Sequence, residues 1–394
     1  MSKAVSRLRS PQAVIFGIIF LDLIGFGIVI PVLPLYAERF GASPLVIGFL
    51  LGIYSAMQCM FAPILGRLSD RVGRRPVLLL SVIGTSAGFL LMGTAHALWL
   101  LFAARIIDGA TGGNISTAQA YIADITPPEH RSRGMGLIGA AFGLGFIFGP
   151  ALGGLLSHIS LAAPFFFAAF LAAANAVAIY FLLPESLPAE RRHQAREHPS
   201  FATLLQEAKH RPLGVVLSAY FFTTVSFSLV TATYALFTER RFGYTAAQTG
   251  SLFAGQGLLG AIIQGGLLGW LVKAFGEKKL VIAGTALLAM SLLLLPTGAT
   301  TAFLLLATTG LAIGHSLALG PLNGLASKSV DEASQGRVLG MMQSAASFAR
   351  IVGPVLGGWL LNYDALHMPV AFGRTAYWAG GAVALLALGL AIRL

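Results

Sequence analysis

The sequence predicts an all-α polytopic membrane protein, with 12 transmembrane helices in two pseudo-symmetric six-helix halves. Three observations lead there. The chain is 56% hydrophobic and only 10% charged, against about 25% charged in soluble domains. Its apolar residues fall into twelve long runs. Patterns of the first half also return in the second, displaced by 203 or 204 positions.

A hydrocarbon core about 30 Å thick takes about 20 residues of helix. The first six runs are 14–35, 45–65, 77–95, 98–120, 134–156 and 162–183. The last six are 213–237, 249–272, 280–295, 302–325, 338–361 and 375–391. They are continuous, whereas strands of a membrane barrel alternate apolar and polar residues. The first run contains Asp22 and lacks a small-residue cleavage site, so it is expected to stay in the mature protein. The polar stretch 184–212 reads as a solvated cytoplasmic linker between an N-terminal half, 1–183, and a C-terminal half, 213–394.

The composition excludes a soluble enzyme and a disordered chain. Gly makes up 47 of 394 residues, as suits membrane helices that approach through small residues. A net charge of +11 on a soluble protein suggests nucleic acid. Here the basic residues sit in short loops, so no nucleic-acid partner is expected and the charge reports orientation. With the N-terminus inside, the inner segments hold 20 Lys and Arg and the outer loops hold 4: Arg39, Arg240, Arg241 and Arg374. The positive-inside rule then puts both termini in the cytoplasm of a cell whose inner (plasma) membrane the chain spans. The lone Cys59 excludes an internal disulfide and a cysteine metal site, and no metal is expected.

The repeat is specific. Gly66-x-x-x-Asp70-x-x-Gly73 returns as Gly269-x-x-x-Lys273-x-x-Gly276, and Gly149-Pro150-x-x-Gly153-Gly154 returns as Gly353-Pro354-x-x-Gly357-Gly358. Tandem six-span halves are an architecture of transporters that rock about a central site.

Several segments carry chemistry of their own. The loop between spans 2 and 3 reads Gly66-Arg67-Leu68-Ser69-Asp70-Arg71-Val72-Gly73-Arg74-Arg75-Pro76. Gly66 and Gly73 allow a tight reversal, and Asp70 can face a helix N-terminus, where an anion is favoured. Span 11 begins on the same side. A basic loop obeying the orientation rule explains Arg71, Arg74 and Arg75 but not the acid and its two glycines. In span 5, Gly145, Gly149 and Gly153 share one helix face beside Pro150 and Gly154, which lets another backbone come close.

Inside the spans lie only four charges: Asp22, Arg105, Asp108 and Arg350. A midplane charge costs at least about 2.5 kcal/mol on insertion scales, so each needs a partner or a wet cavity. Asp22 sits about ten residues into span 1, roughly 15 Å at helical rise. Arg105 and Asp108 are three apart on one face of span 4. A static ion pair accounts for Arg105 with one acid and leaves the other without a reason. A lone carboxyl in a low-dielectric cavity can carry a proton near neutral pH. Asp22, flanked by Leu21, Leu23 and Ile24 with no basic residue within a turn, is expected to be the more desolvated and is the first choice. Asp108 is the second.

Taken together these segments resemble the major facilitator superfamily. The loop is like its signature loop. Arg105-x-x-Asp108-Gly109-x-x-Gly112-Gly113 is like its second motif, and Gly145 to Gly154 like its antiporter motif. Asp22-Leu23-Ile24-Gly25-Phe26-Gly27-Ile28-Val29-Ile30-Pro31-Val32-Leu33-Pro34 looks like span 1 of the twelve-span drug/H⁺ antiporters. Tyr54 through Leu80 reads much like the tetracycline-exporter branch. The resemblance implies the major facilitator fold and alternating access. It implies a loop that latches the inner face, a span 5 that seals the halves near the outer side, and drive by a proton gradient without ATP or cofactor. A single chain in the lipid bilayer is expected to suffice, with a small-molecule substrate and protons as its partners.

Candidates for the substrate cavity are Tyr54 and Gln58 in span 2, Asn114 and Gln119 in span 4, and Phe227 and Tyr234 in span 7. Gln256 and Gln264 in span 8 and Asn323 in span 10 extend the set. Arg350 binds an anionic group, stands in for a cation site, or pairs structurally; His315 is a packing residue or a proton relay. The branch carries an Asp in span 3, a His in span 8 and an Asp in span 9, where this chain has Gly88, Gly260 and Leu288. The expectation is a proton-coupled exporter of small amphipathic compounds other than metal–tetracycline. The alternative is a proton-coupled or passive importer of a small nutrient. An enzyme is disfavoured, since no nucleotide loop, His-Glu-x-x-His helix or nucleophile elbow occurs.

Overall fold

Within hydrocarbon, backbone polar groups must be satisfied inside the protein, which favours helices. The computed structural model describes residues 11–112, 114–127, 131–188, 190, 211–330 and 335–394, and no strand occurs among them. Spans 1 to 3 are Pro11–Glu38, Pro44–Val72 and Arg74–Gly93. Spans 5 to 7 are Arg131–Leu156, Ala163–Leu182 and Arg211–Phe242. Spans 9 to 12 are Glu277–Leu294, Thr301–Lys328, Gln335–His367 and Arg374–Ile392. Span 11, with 33 residues, is roughly 50 Å long at helical rise, so its ends stand clear of the hydrocarbon.

Among the described residues, ten segments are each long and apolar enough to cross a membrane. Spans 4 and 9 fall short for visible reasons. Span 9 opens with Glu277, Lys278 and Lys279, which dilute an 18-residue helix. Span 4, one apolar run in the sequence, is two helices: Leu98–Thr111, ending at Gly112, and Asn114–Ile125. Gly is a weak helix former, and the Gly112 carbonyl accepts a hydrogen bond from Gln58 Nε2 at 2.8 Å. A neighbouring side chain thus satisfies the broken backbone. Span 8 also departs from one regular helix. Ala246–Ile262 passes through a π-helical turn, Ile263–Leu267, into Leu268–Phe275.

The chain divides into two compact units. The first holds residues 1–41, 56–196 and 246–254, and the second 42–55, 197–245 and 255–394. The start of span 2 thus groups with the second unit and the start of span 8 with the first. One core gathers Ile15, Leu23, Leu78, Tyr121, Ile138 and Ile179. The other gathers Leu213, Val281, Leu322, Met342 and Ala391. The repeat is visible in the backbone. Gly73 and Gly276, which end spans 2 and 8, take φ of 111° and 80°, a region that residues with a Cβ avoid.

Candidate transport site

In the first unit Asp108 and Arg105 form the buried pair that their spacing predicts. Arg105 Nη1 lies 3.2 Å from Asp108 Oδ2, and the two residues are 2% and 4% exposed. Thr85 of span 3 also hydrogen-bonds to Asp108. Gly88, one turn further along span 3, makes room for this acid: a Cβ at Gly88 would lie 2.9 Å from Asp108 Cβ. Asp22 is half-buried. The expected order of desolvation is therefore reversed, because apolar neighbours along a helix do not set what its polar face meets.

Span 5 packs on the stretch of span 1 that follows Asp22. A Cβ at Gly145 would lie 2.6 Å from Leu23 Cβ, one at Gly149 2.6 Å from Gly27 Cα, and one at Gly153 2.8 Å from the Ile28 carbonyl. The adjacent face of span 5 meets the start of span 8. A Cβ at Gly154 would lie 2.9 Å from Ala247 Cα, and one at Gly250 2.4 Å from the Pro150 carbonyl. The second unit repeats the arrangement. Gly353 and Gly357 meet Ser228, Leu229 and Thr233 of span 7, while Pro354 and Gly358 meet Gly48 at the start of span 2.

The signature loop is more compact than expected. Span 2 stays helical to Val72, so Gly66 lies inside a helix and Gly73 alone makes the reversal. One left-handed glycine suffices to turn the chain. Arg74 is almost fully buried. It pairs with Asp70 at 2.7 Å and with Asp124 of span 4 at 3.1 Å, and donates to Ser69 Oγ at 2.6 Å. Arg75 donates to the Tyr180 carbonyl, and Arg71 is exposed. Glu185, in the stretch assigned to the linker, accepts the backbone N–H groups of Arg74 and Arg75 at 2.9 and 3.2 Å. A carboxylate on two free N–H groups at a helix start is favoured by hydrogen bonding and by the helix dipole. At Gly73 a Cβ would lie 2.3 Å from Glu185 Oε2, so the glycine serves both the turn and the cap. Sequence reasoning missed Glu185 and Asp124, whose partners are distant in the chain.

The cavity candidates divide. In the second unit Phe227 stacks on His315, with ring centroids 3.7 Å apart and 11° between planes. In the same unit Asn323 hydrogen-bonds to Tyr220 and to the Leu319 carbonyl, and Arg350 donates to Ser347 Oγ at 3.2 Å. Tyr220, beside Arg350, was not singled out by sequence. Tyr234 has no exposed surface and its hydroxyl sits 2.6 Å from Thr308 Oγ1, so it belongs to the interior of the unit and is withdrawn from the cavity set. Gln58 commits an amide N–H to the break in span 4. Tyr54 and Gln119 are half-buried, Gln256 is buried, and Gln264 is exposed within the π-helical turn of span 8. The Asn114 side chain, Gly113 and the segment 191–210 lie outside the described residues. Among the described residues no group of three or more His, Cys, Asp or Glu side chains is placed to hold a metal ion.

Two repeated bundles of membrane-length helices, with ionisable groups buried within spans, define a transporter and not an enzyme. The chain matches the Major Facilitator Superfamily over residues 15–263 and 216–394, and it belongs to that family. It is 38% identical over 347 residues to the class C tetracycline resistance protein of Escherichia coli, covering 87% of each chain. It is 30% identical over 380 residues to multidrug resistance protein 2 of Bacillus subtilis (strain 168), covering 94% of each. Among solved structures it is similar to the human organic anion transporter MFSD10 (TETRAN). That match has a TM-score of 0.71 and 26% identity, and covers 96% of this chain and 98% of the other. The family and the fold make it a membrane transporter.

Proposed function

We propose that this protein exports small amphipathic compounds from the cytoplasm in exchange for protons, with Asp22 as the proton carrier. The observation that carries the reading is the division of labour between the two acids. Asp108 is buried and held in place by Arg105 and Thr85. Asp22 is half-buried, so water, protons and a substrate can reach it. It also lies directly before the stretch of span 1 that touches the antiporter face of span 5, and a shift of that contact would move it. The named activities of the tetracycline and multidrug resistance relatives support export of drug-like compounds. The human relative named for organic anions supports Arg350, beside Tyr220, as the counter-charge for an acidic substrate group.

In this reading the basic ends of the spans face the cytoplasm of the inner membrane, the loop around Asp70 latches the inner face, and one chain works without ATP or cofactor. The test uses everted membrane vesicles energised to an acidic interior and a panel of radiolabelled or fluorescent amphipathic compounds. Uncoupler-sensitive uptake of at least one compound into the vesicles is expected. Accumulation into right-side-out cells instead would establish import.

A further inference from the structure

The Arg74 anchor has a counterpart in the second unit with every charge reversed. In the first unit an acid, a base and an acid, Asp70, Arg74 and Asp124, are joined by contacts of 2.7 and 3.1 Å. The internal repeat places Lys273, Glu277 and Lys328 at the corresponding positions, displaced by 203, 203 and 204 residues. Charged residues make up 10% of the chain, so three charges at three prescribed positions, all of inverted sign, are not expected from scatter. The key contact is also present: Lys328 Nζ lies 2.8 Å from Glu277 Oε1. It joins the start of span 9 to the end of span 10, as Arg74–Asp124 joins the start of span 3 to the end of span 4. Gly324, one turn before Lys328, leaves the space that Glu277 occupies, since a Cβ there would lie 2.6 Å from the same carboxylate oxygen.

We infer that Glu277 is a positioning residue for the transport cycle and that Lys273, Glu277 and Lys328 are a polarity-inverted copy of the Asp70–Arg74–Asp124 anchor. Attraction depends on opposite sign and not on which helix carries which sign, so the inversion preserves the function of the contact. It does not preserve its strength. Arg74 is buried and holds two carboxylates through a rigid fork. Lys328 is 68% exposed and makes one contact to Glu277, in the range of weak solvent-facing pairs. The second anchor is therefore the one that yields more readily when the bundle rearranges. The inference rests on the protein being a transporter and not on its substrate class.

The experiment compares the purified parent protein with Glu277→Gln, Lys328→Gln, Gly324→Ala and the triple reversal Lys273→Glu/Glu277→Lys/Lys328→Glu. Hydrogen exchange at residues 276–282 is read by mass spectrometry, and proton-driven transport of ethidium is read in proteoliposomes. The single variants should exchange about two- to fivefold faster in that segment, as befits one exposed ion pair, with an unchanged melting temperature. They should lower Vmax by a similar factor with KM unaltered, and the triple reversal should restore both. Parent-like exchange in the single variants, or a triple reversal that restores nothing, overturns the inference. If the parent does not move ethidium, export of that cation is refuted while hydrogen exchange still decides the anchor.

Discussion

At the scale of single residues, the two intramembrane acids should respond differently to the same change. Asp108→Asn leaves Arg105, 2% exposed, without its carboxylate. Removing one partner of a buried ion pair costs about 3–5 kcal/mol, so this variant should accumulate poorly and melt early in detergent. Asp22 is half-buried, so neutralising it is expected to cost less. Asp22→Asn should fold and bind substrate, lose uphill export, and retain part of downhill exchange. Proton release on adding substrate to purified protein decides between them. Release that persists in Asp22→Asn and disappears in a folded Asp108→Asn would reverse the assignment. Asp70→Asn should insert normally, because Arg74 keeps Asp124 and Ser69, yet transport should fall sharply if the loop latches the inner face. Full transport in that variant would remove the latch.

At the scale of elements, the glycine face of span 5 predicts that a small change there reaches the proposed proton carrier. Span 1 touches Gly145, Gly149 and Gly153 at distances that leave no room for a methyl group. Gly149→Ala forces spans 1 and 5 apart, and overpacking of this kind costs about 1–3 kcal/mol. Gly139 on the same span has nothing within 4 Å of its Cβ position, and Ala is the better helix former by up to about 1 kcal/mol. Gly139→Ala should therefore match or exceed the parent in melting temperature, while Gly149→Ala falls below it and exports less. Thermal unfolding in detergent beside vesicle transport checks both. Glu185→Ala should cost about 0.5–2 kcal/mol through loss of the cap on span 3. Its linker position predicts no cost at all, so the melting temperature separates the two accounts.

At the scale of the whole molecule, the spans and the repeat were legible because hydrocarbon imposes long apolar runs and because the two halves kept the same glycine and proline spacing. The breaks were not. Gly112-Gly113 in the apolar run 98–120 permits a helix end but does not dictate one, since the stabilising Gln58 amide comes from another span. The anchor of Arg74 on Asp124 and the cap by Glu185 join residues 50 and 111 positions apart, beyond any local pattern. The buried order of the two acids depends on facing, which flanking residues do not encode. Substrate choice is where these levels meet. Tetracycline exporters resemble this chain along most of its length, but two of the three positions where that branch carries charge are here crowded. Gly88 lies against Asp108 and Leu288 is fully buried, whereas Gly260 has room for a side-chain carbon. An acid at Gly88 would collide with Asp108 and repel it. The expectation that follows is a substrate that needs no carboxylate from spans 3 and 9, other than metal–tetracycline. Expression in a sensitive host lacking other exporters should raise the inhibitory concentration of tetracycline little, while some other amphipathic compound is expelled in an uncoupler-sensitive way. High-level, uncoupler-sensitive tetracycline resistance would show that the chelate is held by other groups, with Asp22, Asp108 and Arg350 the first to replace.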